Sequence, residues 1–355
     1  AMADLVYAGI DEAGYGPMLG PLCIGLTIFR VRNWAPGWAP GWAPDWAPGS
    51  APDPEASATP VEAPDLWEML GGALCKEVKD PRKRIAIADS KKLKGANTLK
   101  RVHPLRHLER GVLAMLGARG DRTPTDCSLL QQVGASLGDA PWFGGDPLDL
   151  PVGVDPQELA LDTARLSAAM RSAGVELLDA RCRVIDAPGF NRAVRESGSK
   201  GALTLASASD AIARVIKVGH GSADRSANEE PPIIRIVGDR LGGRLDYAPM
   251  LERATGCDIT CTHRCESGAR YEAMGGRIGV QFRSEAEDRH LPVALASMLA
   301  KLTRELAMIR FNRYWSSRSP TLRPTAGYAT DARRWLRDAS PVLNARERAD
   351  LVRIA

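Results

Sequence analysis

The most constraining stretch of the chain runs from Leu5 to Ile28 and reads LVYAGIDEAGYGPMLGPLCIGLTI. Leu5 to Ile10 is a short apolar run, the pattern of a buried strand. It stops at two adjacent carboxylates, Asp11 and Glu12. A turn of Ala13, Gly14, Tyr15, Gly16 and Pro17 follows, and Leu22 to Phe29 is a second apolar run. Unpaired buried charge costs several kcal/mol, and a bound cation offsets that cost. Hard divalent cations take oxygen ligands and often keep phosphate oxygens in their shell. Bare glycines let a polyanion approach the main chain closely. Two solvated acids on a surface turn are the alternative, and this stretch alone leaves both readings open.

A chain of 355 residues holds material for one large domain or two. Lys and Arg number 47 against 43 Asp and Glu, a net charge of +4 that permits a polyanionic partner without demanding one. Seven scattered cysteines fit reduced thiols better than a disulfide framework. No basic region followed by an apolar signal core opens the sequence, and no apolar run approaches ~18 residues. A cytoplasmic protein with no membrane association is the expectation.

Beyond the second strand come four Trp-Ala-Pro tetrads carrying Trp34, Trp38, Trp42 and Trp46, then a Pro/Ala-rich stretch to about Pro64. Proline this dense excludes helix and interior strand, so 31–65 is expected to be an inserted loop. Leu66 to Val78 is expected as a short helix, and Asn97 as the cap of a helix running to about Gly117. Residues 119–154, rich in Gly, Pro and Asp, look like a second insertion. Helices are predicted over Pro156–Ala173 and Lys200–Val218, and strands over Glu176–Ile185 and Ile233–Asp239. The second of those strands again delivers a carboxylate at its tip. Cys257, Cys261 and Cys265, with His263, alternate with polar residues, which predicts a half-buried strand with thiols as small hydrophobes rather than a zinc site. Ile278, Val280 and Phe282 are the expected partner strand, running into Glu285, Glu287 and Asp288. Pro292 then opens a long helix whose Lys301, Arg304, Arg310 and Arg313 supply positive charge.

Acids thus stand at three strand ends: Asp11 with Glu12, Asp239, and the cluster near Asp288. That arrangement suits a pair of divalent ions clamping the attacking and leaving oxygens of a phosphoryl displacement. No GxSxG elbow, Walker loop or HExxH signals a competing chemistry. His290, beside the acids in sequence, is read as a solvated polar histidine, with a proton-transfer role as the alternative.

Five blocks in order resemble the ribonuclease HII family. Gly9 to Pro21, GIDEAGYGPMLGP, resembles its first motif, GxDEAGRGPxxGP. Asp89-Ser90-Lys91-Lys92-Leu93 matches its DSKKL. Val184 to Val194, VIDAPGFNRAV, is similar to the segment before its central helix, where the acid is not catalytic. Ala294 to Glu305, ALASMLAKLTRE, is similar to SAASILAKVTRD, and Thr325 to Leu336 resembles a C-terminal motif that places Tyr328 at its aromatic position. The strand ending at Asp239 takes the place of the family strand that ends in its third catalytic acid. The resemblance implies an α/β, ribonuclease H-like fold: a mixed central β-sheet flanked by helices, with a helical C-terminal extension. It further implies a catalytic domain over 1–315, a substrate-binding extension over 316–355, and a monomer.

The implied activity is Mg²⁺- or Mn²⁺-dependent hydrolysis of RNA in RNA/DNA hybrids. Incision 5′ to ribonucleotides embedded in duplex DNA belongs with it, leaving 5′-phosphate and 3′-hydroxyl ends. Asp11, Glu12 and Asp239 take the metal-ligand positions. The family's fourth acid precedes a proline by four positions, which gives Asp288; counting back from Lys301 without a gap gives Glu287. Asp288 is the choice here, with Glu287 as the other candidate. Gly14, Tyr15, Gly16 and Tyr328 fall where the ribose is examined, and Lys91 and Lys92 where phosphates are contacted. Tyr15 stands where the family has arginine, which opens two alternatives: a nuclease less dependent on ribose, or a nucleic-acid-binding relative that cuts nothing.

Overall fold

A computed structural model describes residues 3–34, 63–95, 102–221, 232–241, 244 and 246–354. Trp38, Trp42, Trp46 and Asn97 lie outside the described residues. The first half of the chain contributes β1 (Ala3–Ala13), β2 (Leu22–Trp34), α1 (Leu66–Met69), β3 (Leu74–Cys75), β4 (Ile85–Ala86), α2 (Ser90–Leu93), α3 (Arg106–Arg119), α4 (Asp126–Gln132) and α5 (Pro156–Ala173). The second half adds β5 (Val175–Ile185), α6 (Ala187–Ser197), α7 (Lys200–His220), β6 (Ile233–Asp239), α8 (Ala248–Thr255), β7 (Thr260–Cys265), β8 (Gly268–Ala273), β9 (Ile278–Arg283), α9 (Leu291–Arg318), α10 (Ala329–Asp338) and α11 (Ala345–Leu351).

Seven strands form one mixed sheet in the order β5-β2-β1-β6-β9-β8-β7. The pairs β1–β6 and β6–β9 are parallel, and the rest are antiparallel. Side chains of β1 alternate between the two faces. Leu5 and Tyr7 join the core under α3 and α9, while Val6, Ala8 and Ile10 pack with Phe190 of α6 and Ile212 of α7. Helix α9 lies directly on the sheet because two glycines face it. A Cβ on Gly9 would come within 2.1 Å of Pro292, and one on Gly25 within 2.1 Å of the Ala296 carbonyl oxygen.

Several expectations change. Asp11 and Glu12 are among the last residues of β1 rather than beyond it. Leu66–Val78 is helical only to Met69, after which the chain enters the β3–β4 pair. The 119–154 segment packs into the molecule: Leu129, Trp142 and Phe143 are buried, and Asp126 binds Arg310 of α9 through oxygens 2.5 and 2.8 Å from the guanidinium. Arg310 is therefore an internal ion-pair partner rather than a surface charge. The cysteine-bearing strand lies at the sheet edge with Cys261 exposed. Its hairpin partner is β8, whose sequence GARYEA lacks a run of β-branched residues. The expected boundary at 315–316 falls inside α9, where Trp315 packs with Trp142 and with Trp335 of α10. Among the described residues no helix is long and apolar enough to cross a membrane.

Candidate metal centre and substrate-reading turn

Parallel pairing aligns Ile10 of β1 with Gly238 of β6, so Asp11 and Asp239 leave neighbouring strands side by side. Asp239 is in turn aligned with Arg283 at the end of β9, and a single 3-10 turn, Ala286–Asp288, follows. Three segments far apart in sequence thereby bring carboxylates to one end of the sheet's central strands.

Four of these acids, Asp11, Glu12, Asp239 and Glu287, are raised above the ordinary carboxylate range. Burial pushes the Asp11 carboxyl well above the ordinary carboxylate range, and Glu12 and Asp239 add to the push. Hydrogen bonds from Ser297 and the Glu12 amide, the latter at 2.8 Å, act against it. Burial, then Asp239, raise Glu12 to about 7, with Glu287 contributing. Burial also raises Asp239 and Glu287, and Asp239 repels Glu287 in addition. Mutual elevation of this kind marks carboxylates that share one site. Lys91 faces them. Its own partial burial works against its charge, but Asp89, Glu287, Asp11 and Asp239 raise its pKa.

Asp288 is placed differently from its neighbour. Its carboxylate accepts Lys92 Nζ at 2.9 and 3.2 Å, its carbonyl accepts Lys76 Nζ at 2.9 Å, and its side chain is 45% exposed. The acid that senses Glu12 and Asp239 is Glu287. His290 also departs from expectation. It is fully enclosed, its Nδ1 lies 2.6 Å from the Tyr7 hydroxyl, and burial pushes it down to about 3. Ser297, which the sequence marks only as a small helix residue, stands beside Asp11 and donates to the Ser90 hydroxyl at 2.9 Å. No spacing rule would have found it.

The donor set of the acid cluster is oxygen-only and mutually repelling, which fits a hard divalent cation. Among the described residues no three Asp, Glu, His or Cys side chains are drawn close enough to enclose one ion. Asp11, Glu12, Asp239 and Glu287 are the residues available to hold it.

Past the acids, Gly14 adopts φ +89°, and a Cβ there would lie 2.7 Å from Arg304 of α9. Tyr15 follows at 38% exposure. Tyr328, 46% exposed, stands on the adjoining segment, with the Arg304 guanidinium 5.3 Å and the Lys301 ammonium 5.9 Å from its ring centre. The Gly327 carbonyl accepts from Met18 and Leu19 at 2.9 and 3.1 Å, which fastens the two tyrosine-bearing segments together.

No protein-family model matches the chain, and no curated protein matches it. Among solved structures it is similar to the ribonuclease HII of Archaeoglobus fulgidus in complex with PCNA, at 14% identity and a TM-score of 0.40, over 98% of this chain and 94% of that one. It is similar to the ribonuclease H2 of Pyrococcus horikoshii OT3 at 14% identity and a TM-score of 0.37, over 94% and 86%. It is also similar to Bst-RNase HIII in complex with Mn²⁺, at 14% identity and a TM-score of 0.38, over 98% of this chain and 66% of that one.

Proposed function

We propose that the chain is a divalent-metal-dependent endoribonuclease that hydrolyses RNA in RNA/DNA hybrids and incises duplex DNA 5′ to an embedded ribonucleotide. The observation that carries this reading is the clustering of Asp11, Glu12, Asp239 and Glu287 where β1, β6 and β9 end, all four raised by burial and Asp11, Glu12 and Glu287 also by neighbouring acids of the set. These four acids would hold Mg²⁺ or Mn²⁺, which would supply an activated water and offset charge at the phosphodiester. Lys91, facing the same acids, holds the phosphate in register, and Lys92 contributes once released from Asp288. That exposed ion pair is worth only about 0–1 kcal/mol and exchanges cheaply for a phosphate. The backbone of Gly14, Tyr15 and Gly16 examines the ribose 2′-hydroxyl, the group that separates RNA from DNA. Tyr15 and Tyr328 present ring faces for the sugar or base on either side.

Three duplexes with Mg²⁺ or Mn²⁺ test the reading: an RNA/DNA hybrid, a DNA duplex with one ribonucleotide, and an all-DNA duplex. The first two are cut and the third is not. Equal cutting of all three identifies a nuclease that ignores ribose, and binding of all three without cutting overturns the assignment as an enzyme.

A further inference from the structure

The turn that carries Tyr15 is gripped from a residue 338 positions away in sequence. Arg353 is buried, 4% exposed, and its guanidinium forks onto two successive carbonyls: Nη1 donates to Gly14 O at 2.6 Å and Nη2 to Tyr15 O at 2.7 Å. Its backbone amide donates to Met18 O at 2.9 Å. The guanidinium itself lies 4.0 Å over the ring of Phe190, a residue that is wholly buried. Asn191 locks the chain on both sides of Arg353, donating to Val352 O and accepting from the Ile354 amide, each at 2.8 Å.

The planar peptide gives this grip a consequence. In a trans peptide the C=O and the following N–H point in opposite directions. The one cis bond among the described residues is Leu150–Pro151, so both turn peptides are trans. With Gly14 O and Tyr15 O drawn onto Arg353, the N–H groups of Tyr15 and Gly16 face away from it. Neither amide donates a hydrogen bond within the described protein, and the space over Gly16 is open. We propose that Arg353 is a positioning residue that sets the ribose-reading conformation of the Gly14–Tyr15–Gly16 turn by fixing both carbonyls inward and so presenting two consecutive amides outward. The inference rests on the nuclease reading above for the identity of the ligand, a ribose hydroxyl, though the clamp itself is independent of it. A lysine cannot reproduce it, because an ammonium lacks the planar fork that spans two acceptors.

The test uses the full chain and two readouts. Chymotrypsin nicking after the exposed Tyr15 reports release of the turn without reference to activity. The ratio of kcat/KM on a duplex with one ribonucleotide to that on its 2′-O-methyl counterpart reports ribose reading. Arg353→Ala is expected to raise nicking at least about tenfold and to lower the ratio at least about tenfold, since small misplacement of a positioned group costs this much or more. Mn²⁺ affinity stays within about twofold of wild type, because the acids are held by other elements. Millimolar guanidinium restores both readouts in Arg353→Ala, and Arg353→Lys, which keeps the charge, remains impaired in both. Unchanged nicking and ratio in both variants overturns the proposal. So does a loss that guanidinium does not rescue and that Mn²⁺ affinity shares, because that marks a general packing defect. A wild-type protein that cuts no duplex, but whose nicking responds to Arg353→Ala and to guanidinium, retains the clamp and discards the nuclease reading.

Discussion

Glu287 and Asp288 are neighbours in sequence with opposite electrostatic lives. Glu287 is raised by burial and by Asp239, while Asp288 is half-exposed and tied to Lys92 and Lys76. Counting back from Pro292 points to one and counting from Lys301 to the other, because the 3-10 turn between β9 and α9 sets no fixed spacing. Only the orientation of that turn decides. Glu287→Gln should therefore lower the cleavage rate by about two orders of magnitude or more, the scale of losing one electrostatic contributor. Asp288→Asn should leave the rate within a few-fold; the reverse ranking, read from single-turnover rates, would return the role to Asp288. His290 carries a second prediction at this scale. Its folded pKa of about 3 lies below its ordinary 6.5, so the folded state resists protonation while the unfolded chain accepts it. The stability held above pH 6.5 is lost as pH falls toward 3, by up to roughly 5 kcal/mol. Denaturant unfolding of His290→Gln across that window should show a flatter pH dependence than wild type, and parallel profiles would contradict the assignment.

The elements nearest the acids were the most legible. The apolar run of β1, the turn glycines and the proline that opens α9 announce themselves by period and by backbone chemistry. Edge elements were less so. Strand β8 hides because the buried positions of its alternation, Ala269, Tyr271 and Ala273, include no β-branched residue and two of the three are only alanine. The 119–154 segment reads as loop because its ordering comes from distant partners, Arg310 above all. Gly9 and Gly25 show what sequence alone cannot price, since a glycine in a strand has a reason only when the opposing helix is seen. Adding a methyl at Gly25 forces α9 off the sheet, and overpacking of this kind costs ~1–3 kcal/mol or more. Gly25→Ala should lower Tm measurably and weaken Mn²⁺ binding with it, because α9 carries Ser297 beside Asp11. A variant with wild-type Tm would mean the helix has room that the 2.1 Å approach denies.

At the scale of the whole molecule, one end of the central strands gathers residues that sequence distance keeps apart. Asp11 and Asp239 meet through parallel pairing of β1 and β6, and the turn beyond them is bounded by Arg304, Gly327 and Arg353. The ordered motif blocks made the acids legible as a group. The Arg353 clamp was not legible, because nothing local distinguishes an arginine that reaches two carbonyls across the fold from one that faces water. The reading proposed above makes the buried acids a cation site. Calorimetric titration of Mn²⁺ into the wild-type chain and into Asp239→Asn tests that claim without needing a substrate. Saturable binding by the wild type is expected, with affinity at least about tenfold weaker in the variant, as for loss of a charged ligand. No binding by the wild type, or equal binding by both, would contradict it.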